Sequence, residues 1–270
     1  MNDRAGGNYG IRDEIKAYWS ARAATFDLQP GHEVFSDAER AAWFALFRRH
    51  LGPADGRAVL DVASGTGVIS GMLHALGFEV TGADWSEPML ELARAKAERN
   101  GRAIRFILAD AEATMLPDAS FDVIVTRHLV WTLVDPAAAF AEWRRVLRPG
   151  GRLLVIDGDF VNPSAISRVI KAVATAGRRL GLGGPLDPQA DEMHRTHRDI
   201  LSRLPFHQGA RAREVSQMLT DAGFADVTVD RGLFAINRAQ ARQMSLAKGM
   251  ERMTQHRYAI AATVPARVGK

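Results

Sequence analysis

Apolar and polar positions follow two different periods along the chain, and the changes of period divide it. Over residues 1–57 the spacing is helical: Ile11, Ile15, Tyr18 and Trp19, with Arg22, share one stripe, and Trp43, Phe44, Leu46 and Phe47 form a second. Gly52-Pro53-Ala54-Asp55-Gly56 then breaks the chain. From 58 to 157, short runs rich in branched apolar residues predict strands at 58–63, 79–83, 104–109, 121–126 and 152–156. Helical stretches at 68–76, 88–100 and 136–146 separate them, and Arg148-Pro149-Gly150-Gly151 predicts a tight turn into the fifth strand. Strands alternating with helices predict an α/β fold, a doubly wound and mostly parallel sheet with right-handed crossovers.

Residues 158–210 interrupt this alternation with a helix near 164–180, a Gly/Pro stretch at 181–185 and a polar segment rich in His and Arg. A helix at 212–222 ending at Gly223 follows, and 227–229 and 233–236 read as a closing pair of strands. The expected organisation is a helical N-terminal segment (1–57), a core (58–157 and 211–237), a helical lid insertion (158–210) and a basic C-terminal helix or tail (238–270). Met244, Leu246, Met250 and Met253 fall at near-helical spacing in that tail, which makes it a candidate to pack on the lid or on a second subunit as a homodimer.

Composition narrows the chemistry. The chain has no Cys, which excludes disulfides, thiolate metal sites, a cysteine nucleophile and thiolate-held iron–sulfur clusters. No uninterrupted apolar run is long enough to span a membrane, and the first residues lack the apolar core of a signal peptide, so the expectation is a cytoplasmic protein without membrane contact. The net charge of +4 is a modest excess for 270 residues and is concentrated in 238–270. That excess reads as a solvated basic tail or, alternatively, an anion-binding surface.

The most informative stretch is Val59-Leu60-Asp61-Val62-Ala63-Ser64-Gly65-Thr66-Gly67, a buried strand running into a Gly-rich turn and a helix. Such a turn lets backbone N–H groups approach a ligand closely. Dinucleotide-binding folds share it, but their pattern needs Gly or Ala where Ser70 stands here. Asp61, ending the strand, is poorly matched to a pyrophosphate and suits a ligand carrying an ammonium and a sulfonium; the plainer alternative is a turn cap. Asp84 ends the second strand, where a carboxylate can accept both hydroxyls of a ribose or can cap the next helix, a job Ser86 also fits. Asp110 follows the third strand and can reach an adenine amino group or remain a solvent-exposed loop acid.

These segments resemble the class I S-adenosylmethionine-dependent methyltransferases, in the branch of the ubiquinone and menaquinone C-methyltransferases and small-molecule N- or O-methyltransferases. The resemblance is carried by LDVASGTG (60–67), VTGADWSEPML (80–90), ADAEATMLPDASFDVIVTRHLVWTL (109–133) and EWRRVLRPGGRLLVID (142–157). It extends to the segment from Tyr18 to Asp27, similar to the N-terminal part that closes over the cofactor in such enzymes. The resemblance implies seven strands with the last antiparallel. It implies S-adenosylmethionine as cofactor, S-adenosylhomocysteine as product and a small-molecule acceptor. By it, Asp61, Gly65 and Gly67 would face the methionine part, Asp84 the ribose, Trp85 and Met89 the ribose and adenine, Asp110 and Ala111 the adenine, and Arg127 and His128 the methionine moiety. Ala63 departs from the usual Gly; it is expected to be tolerated there if its backbone keeps a negative φ.

Tyr18 and Arg22 are candidates for the cofactor carboxylate, or for helix packing and a surface charge. His128, after the fourth strand, is the candidate general base, since its ordinary pKa is near 6.5, with a packing role as the alternative. Trp131 is a candidate wall against a flat acceptor or the sulfonium, or a core residue. His194, His197 and Arg198 in the lid are candidate contacts to an anionic acceptor, or a solvated surface; with Asp191 and Glu192 the histidines lack a recognised metal-ligand spacing. Amino-methylating DNA enzymes of this fold usually carry an Asn/Asp-Pro-Pro-aromatic motif, but the corresponding stretch here reads Thr126-Arg127-His128-Leu129-Val130-Trp131, which argues against nucleic acid. A nucleic-acid enzyme, an NAD-dependent oxidoreductase and a cofactor-binding protein without transferase activity remain the competing readings.

Overall fold

The computed structural model describes residues 4–28, 30–179 and 188–266, with side chains omitted at 4–9, 171, 173–175, 177–179 and 188–194. Two helices lead in, α1 (Arg4–Phe26) and α2 (Asp37–Leu51), the second capped by Ser36, whose side chain accepts from the Glu39 N–H. The expected alternation follows: β1 (Ala58–Val62), α3 (Val68–Ala75), β2 (Glu79–Asp84), α4 (Glu87–Arg99), β3 (Arg105–Leu108), β4 (Phe121–Arg127), α5 (Pro136–Val146) and β5 (Leu147–Asp159). Ser86 and Asp135 cap α4 and α5, each followed by a proline in the first turn. The insertion supplies α6 (Ala165–Arg179) and α7 (Pro188–Ser202), and the chain closes with α8 (Ala212–Asp221), β6 (Ala225–Asp230), α9 (Phe234–Ala241), α10 (Leu246–Thr254) and β7 (His256–Thr263).

The seven strands form one sheet in the order β3-β2-β1-β4-β5-β7-β6. The first five are parallel, and β7 runs antiparallel between β5 and β6. Strand order reverses between β1 and β4, so the carboxyl ends of these strands border the crevice where open α/β sheets take their ligands. β1 and β4 are nearly continuous apolar runs because both their faces are covered. One face packs Phe140 and Trp143 of α5 with Val215 and Leu219 of α8. The other packs Trp43, Phe47 and Leu51 of α2 with Ile69, Met72 and Leu73 of α3.

Two expectations are corrected. Residues 233–236 are not a strand: Leu233, Ile236, Ala239 and Gln240 are buried at helical spacing, and α9 lays that face on α2, where the Gln240 amide donates to Glu39 Oε1 at 2.8 Å. The segment 238–270 is not a solvated tail, because it holds β7. Its apolar run from Tyr258 to Ala262 enters the sheet interior, with Tyr258, Ala259, Ile260 and Ala262 buried. The sheet core therefore extends beyond 58–157 and 211–237. Within the same segment α10 packs on α9 and α6, although Leu246 and Met250 stay exposed; Gly249 makes the close contact, since a Cβ there would meet the Ala241 carbonyl at 2.9 Å.

The N-terminal helix is clasped to the core at three heights. Arg12 pairs with Asp110 at 2.7 Å and with Glu112, Ser20 meets Ser86 at 2.8 Å, and Asp27 accepts from Thr66 at 2.5 Å and Lys96 at 2.6 Å. Ile11 and Ile15 also pack against Ile200 and Leu204 of the insertion. Two segments expected to cover the sheet edge therefore meet each other above it.

Candidate active site

A cavity of about 670 Å³ opens at the carboxyl ends of β1, β2 and β4, within the size range of small-molecule sites. One end is the glycine loop. Gly65 and Gly67 both take positive φ, and Gly67 starts α3 where a Cβ would press on Phe106 at 3.0 Å and Ala93 at 3.1 Å. Asp84 secures the loop: its carboxylate accepts from the Gly65 N–H at 2.8 Å and the Ser86 N–H at 2.9 Å. Asp61 is buried and accepts from Ser70 Oγ at 2.5 Å. Ser70, the residue that breaks the dinucleotide pattern, is therefore what holds this carboxylate. Burial pushes Asp61 up to about 7 against the opposing hydrogen bond from Ser70 and the charge of Arg127, and burial likewise raises Asp84.

Ala63 has φ +56, so the condition under which its methyl would be harmless is not met. A left-handed conformation costs a non-glycine residue roughly 1–2 kcal/mol, while glycine loosens the unfolded chain by about 0.4–1 kcal/mol. Ala63→Gly is therefore expected to gain roughly 0.5 kcal/mol or more and to raise the melting temperature by about 1–3 °C. A lower melting temperature in differential scanning calorimetry would show that the methyl makes contacts worth more than this strain.

β4 ends in Arg127 and His128. The Arg127 guanidinium lies over the Trp43 ring, Nη2 donates to the His32 carbonyl at 3.3 Å, and Nη1 is buried without a partner. His128 also takes a positive φ, +60. Its Nε2 lies 2.9 Å from Arg257 Nη2. A guanidinium only donates, so Nε2 is the acceptor and the ring proton sits on Nδ1. Burial, together with the charges of Arg257 and Arg127, holds the His128 pKa well below its ordinary value. His128 is thus a neutral ring whose Nε2 is engaged by Arg257, the surroundings of the packing alternative rather than of a free base.

The cavity gathers most of the residues expected from the sequence, namely Arg22, Asp61, Ala63, Gly65, Asp84, Trp85, Met89, Arg127, His128, Trp131, His197 and Arg198. It does not gather Tyr18, Gly67, Asp110 or Ala111. Tyr18 stands behind Arg22, accepting its Nη1 at 2.6 Å, with its ring 5.3 Å from that of His197 and tilted by 32°. Asp110 is taken by Arg12, and the Ala111 carbonyl accepts from Trp143 Nε1 at 2.8 Å. The His194 side chain lies outside the described residues. Among the described residues no group of three or more His, Asp or Glu can hold a metal.

Trp19 and Phe26, from the segment expected to close over the cofactor, line the N-terminal side with His32, which the sequence reading did not single out; Phe26 and His32 stack at 4.1 Å. Other lining residues also escaped that reading. Phe160 lies 5.8 Å from Trp131 and 5.4 Å from His128, so with His197 it completes an aromatic wall. Arg252 and Gln255 come from α10 and the turn into β7. The signal for this last group was the apolar run 258–262, a strand period hidden in a segment dominated by its basic residues.

No described helix is long and apolar enough to cross a membrane. Residues 60–155 match the methyltransferase-domain family. The demethylmenaquinone methyltransferase of Thermus thermophilus is 46% identical over 101 residues, which cover 37% of this chain and 46% of that enzyme, so this match spans less than half of the relative's length. The ubiquinone/menaquinone biosynthesis C-methyltransferase UbiE of Pseudomonas entomophila is 30% identical over 224 residues, covering 80% of this chain and 84% of the relative. The fold is shared with phosphoethanolamine N-methyltransferase 2 of Haemonchus contortus, solved with S-adenosylhomocysteine, at a TM-score of 0.64 and 16% identity over 95% of this chain and 60% of that one. The glycine loop, the two strand-end aspartates and the match over four fifths of the chain lead to one family: the chain belongs to the class I S-adenosylmethionine-dependent methyltransferases, in the branch of the ubiquinone and menaquinone C-methyltransferases.

Proposed function

We propose that the chain transfers a methyl group from S-adenosylmethionine to a small-molecule acceptor held in the same cavity. The observation that carries this reading is a donor set matched to a zwitterionic amino acid on a nucleoside. Asp61 and Asp84 stand at the glycine-loop end, and the unpartnered Nη1 of Arg127 lies in the same cavity wall. In this reading Asp61 receives the ammonium, Arg127 the carboxylate, Asp84 the ribose hydroxyls, and Trp85 and Met89 flank the base. Arg22 closes over the methionine end from α1, stacked on Trp19.

When bound, the cofactor supplies an activated methyl, passed in line so that the acceptor–carbon bond forms as the carbon–sulfur bond breaks and a neutral thioether leaves. The protein's share is positioning and exclusion of water. The wall formed by Trp131, Phe160 and His197 closes the acceptor side and suits a planar or apolar body. His128 keeps its proton on Nδ1, where it can donate to the acceptor and orient it. With its Nε2 engaged by Arg257, His128 is given this positioning role and no proton abstraction.

Calorimetric titration with S-adenosylhomocysteine and NAD tests the reading. Binding of the first and not the second is expected. An ammonium placed against Asp61 would favour its ionised form, so binding near pH 6.5 should release up to about one proton; release should vanish well above pH 7, where the carboxyl is already ionised. Titrations in buffers of different ionisation enthalpy read this directly, and Asp61→Asn should abolish it. Intact binding without proton release would remove Asp61 from the ammonium site. Absence of binding by the folded protein would refute the transferase reading.

A further inference from the structure

Among the described residues the cavity is short of negative charge: four arginines line it, Arg22, Arg127, Arg198 and Arg252, against two aspartates, Asp61 and Asp84. Both aspartates stand at the glycine loop, where a bound cofactor would engage them. S-adenosylmethionine itself carries a net positive charge, so its arrival deepens the imbalance.

The excess is concentrated where β7 adjoins the cavity. Arg252 reaches the Pro30 carbonyl at 3.3 Å, and its Nε is buried without a partner. The Gln255 side-chain oxygen and the Trp131 indole N–H, both on lining residues, are also buried without partners. Arg257 is buried behind them, and its hydrogen bonds go to Asn237 at 3.0 Å, Gln240 at 3.0 Å and His128 at 2.9 Å, all neutral groups. Among the described residues none of Arg127, Arg252 and Arg257 forms an ion pair. Burial and the neighbouring guanidinium groups lower the proton affinity of Arg257 to about 9. Glu39, Asp157 and Glu251 act on this group only at longer range, and Glu39 is already held by Trp43 and Gln240. A buried guanidinium without a counter-charge costs a fold several kcal/mol, so the stretch of wall where Arg127 and Arg252 stand suits an anion.

We infer that the acceptor carries an oxyanion, a carboxylate or a phosphate, which Arg252 receives while the acceptor's planar or apolar body lies against Trp131 and Phe160. The inference rests on the methyltransferase reading of the same cavity. It adds a specificity determinant contributed by the α10–β7 junction, with Arg257 and His128 supporting it from behind. A cationic acceptor is disfavoured, since it would join the guanidinium groups and the sulfonium with nothing to balance it.

The test uses matched probes on the protein saturated with S-adenosylhomocysteine. Calorimetry or fluorescence titration compares 4-hydroxybenzoate and phenyl phosphate with methyl 4-hydroxybenzoate, phenol and benzyltrimethylammonium. At least one anionic probe should bind tenfold or more tightly than its neutral counterpart, and the stronger of the two distinguishes carboxylate from phosphate. Arg252→Gln should erase this preference and Arg252→Lys should keep part of it, both with S-adenosylhomocysteine affinity within threefold of the parent. Equal binding of neutral and anionic probes, no anion binding in the millimolar range, or a preference unchanged in Arg252→Gln would overturn the inference. So would a tenfold loss of S-adenosylhomocysteine affinity in that variant, which would move Arg252 to the cofactor carboxylate. Failure of S-adenosylhomocysteine to bind the parent protein is a different result and strikes the transferase reading instead.

Discussion

A chain ending after Asn237 is expected not to fold. The deletion removes α10 and β7, and β7 is an interior strand: it pairs with β5 from Arg152 to Asp159 on one side and with β6 on the other. Tyr258, Ile260, Ala262 and Val264 belong to the core cluster under α5 and α8, while Ala259 belongs to the cluster under α2 and α3. Burying side chains of the size of Tyr, Ile and Val contributes about 1.5–3 kcal/mol each. Their joint loss, with β6 left without a neighbour and β5 with an open edge, matches or exceeds the roughly 5–15 kcal/mol that holds a domain together. Circular dichroism melting should show no cooperative transition in the truncated chain, and protease should digest it at concentrations the full chain survives. A cooperative transition within a few degrees of the full chain would mean that β7 is dispensable to the sheet.

Asp84→Ala should weaken S-adenosylhomocysteine binding about a hundredfold or more. Hydrogen bonds to a charged group contribute about 1.5–3 kcal/mol each. Losing two to the ribose amounts to at least 3 kcal/mol, or roughly two decades in Kd. The substitution also frees the Gly65 N–H, which Asp84 holds at 2.8 Å, so the loop would lose the anchor that aims its backbone at the ligand. Asp84→Asn keeps one acceptor oxygen and should fall between alanine and the parent. The apoprotein should tolerate the change, since removing a buried carboxyl whose charged form is penalised offsets the lost loop anchor. Calorimetric Kd values beside melting curves separate the two effects. A change in Kd below threefold would take Asp84 out of the ribose site.

The parts of the fold legible in the sequence are those set by local pattern. Branched apolar runs, with amphipathic helices after β1, β2 and β4, give β1 to β5 and these crossovers within one to two residues at most boundaries. The fifth strand is the exception, running longer at both ends as Leu147–Asp159. Asp61, Asp84 and the glycine loop are legible for the same reason: each lies at the end of a strand whose period is clear, and a parallel sheet carries all such ends to one edge. The second half of the chain is less legible because two signals compete there. In 238–270 the basic residues outweigh the short apolar run, and charge reads as exposure when nothing in the segment itself shows that Arg257 is turned inward.

The sequence by itself determined the sheet's first five strands, the glycine loop at the cavity and the two carboxylates beside it, because neighbours within a few dozen residues specify them. Only the tertiary structure decided what the other half of the site contains. His128 Nε2 is engaged by Arg257, 129 residues away. Asp110 is drawn off by Arg12 from α1. Ala63 is placed in a conformation its methyl opposes, and Arg252 reaches the cavity because β7 threads back between β5 and β6. Each of these depends on charge, burial or backbone geometry set by distant segments, and a local period carries no record of them.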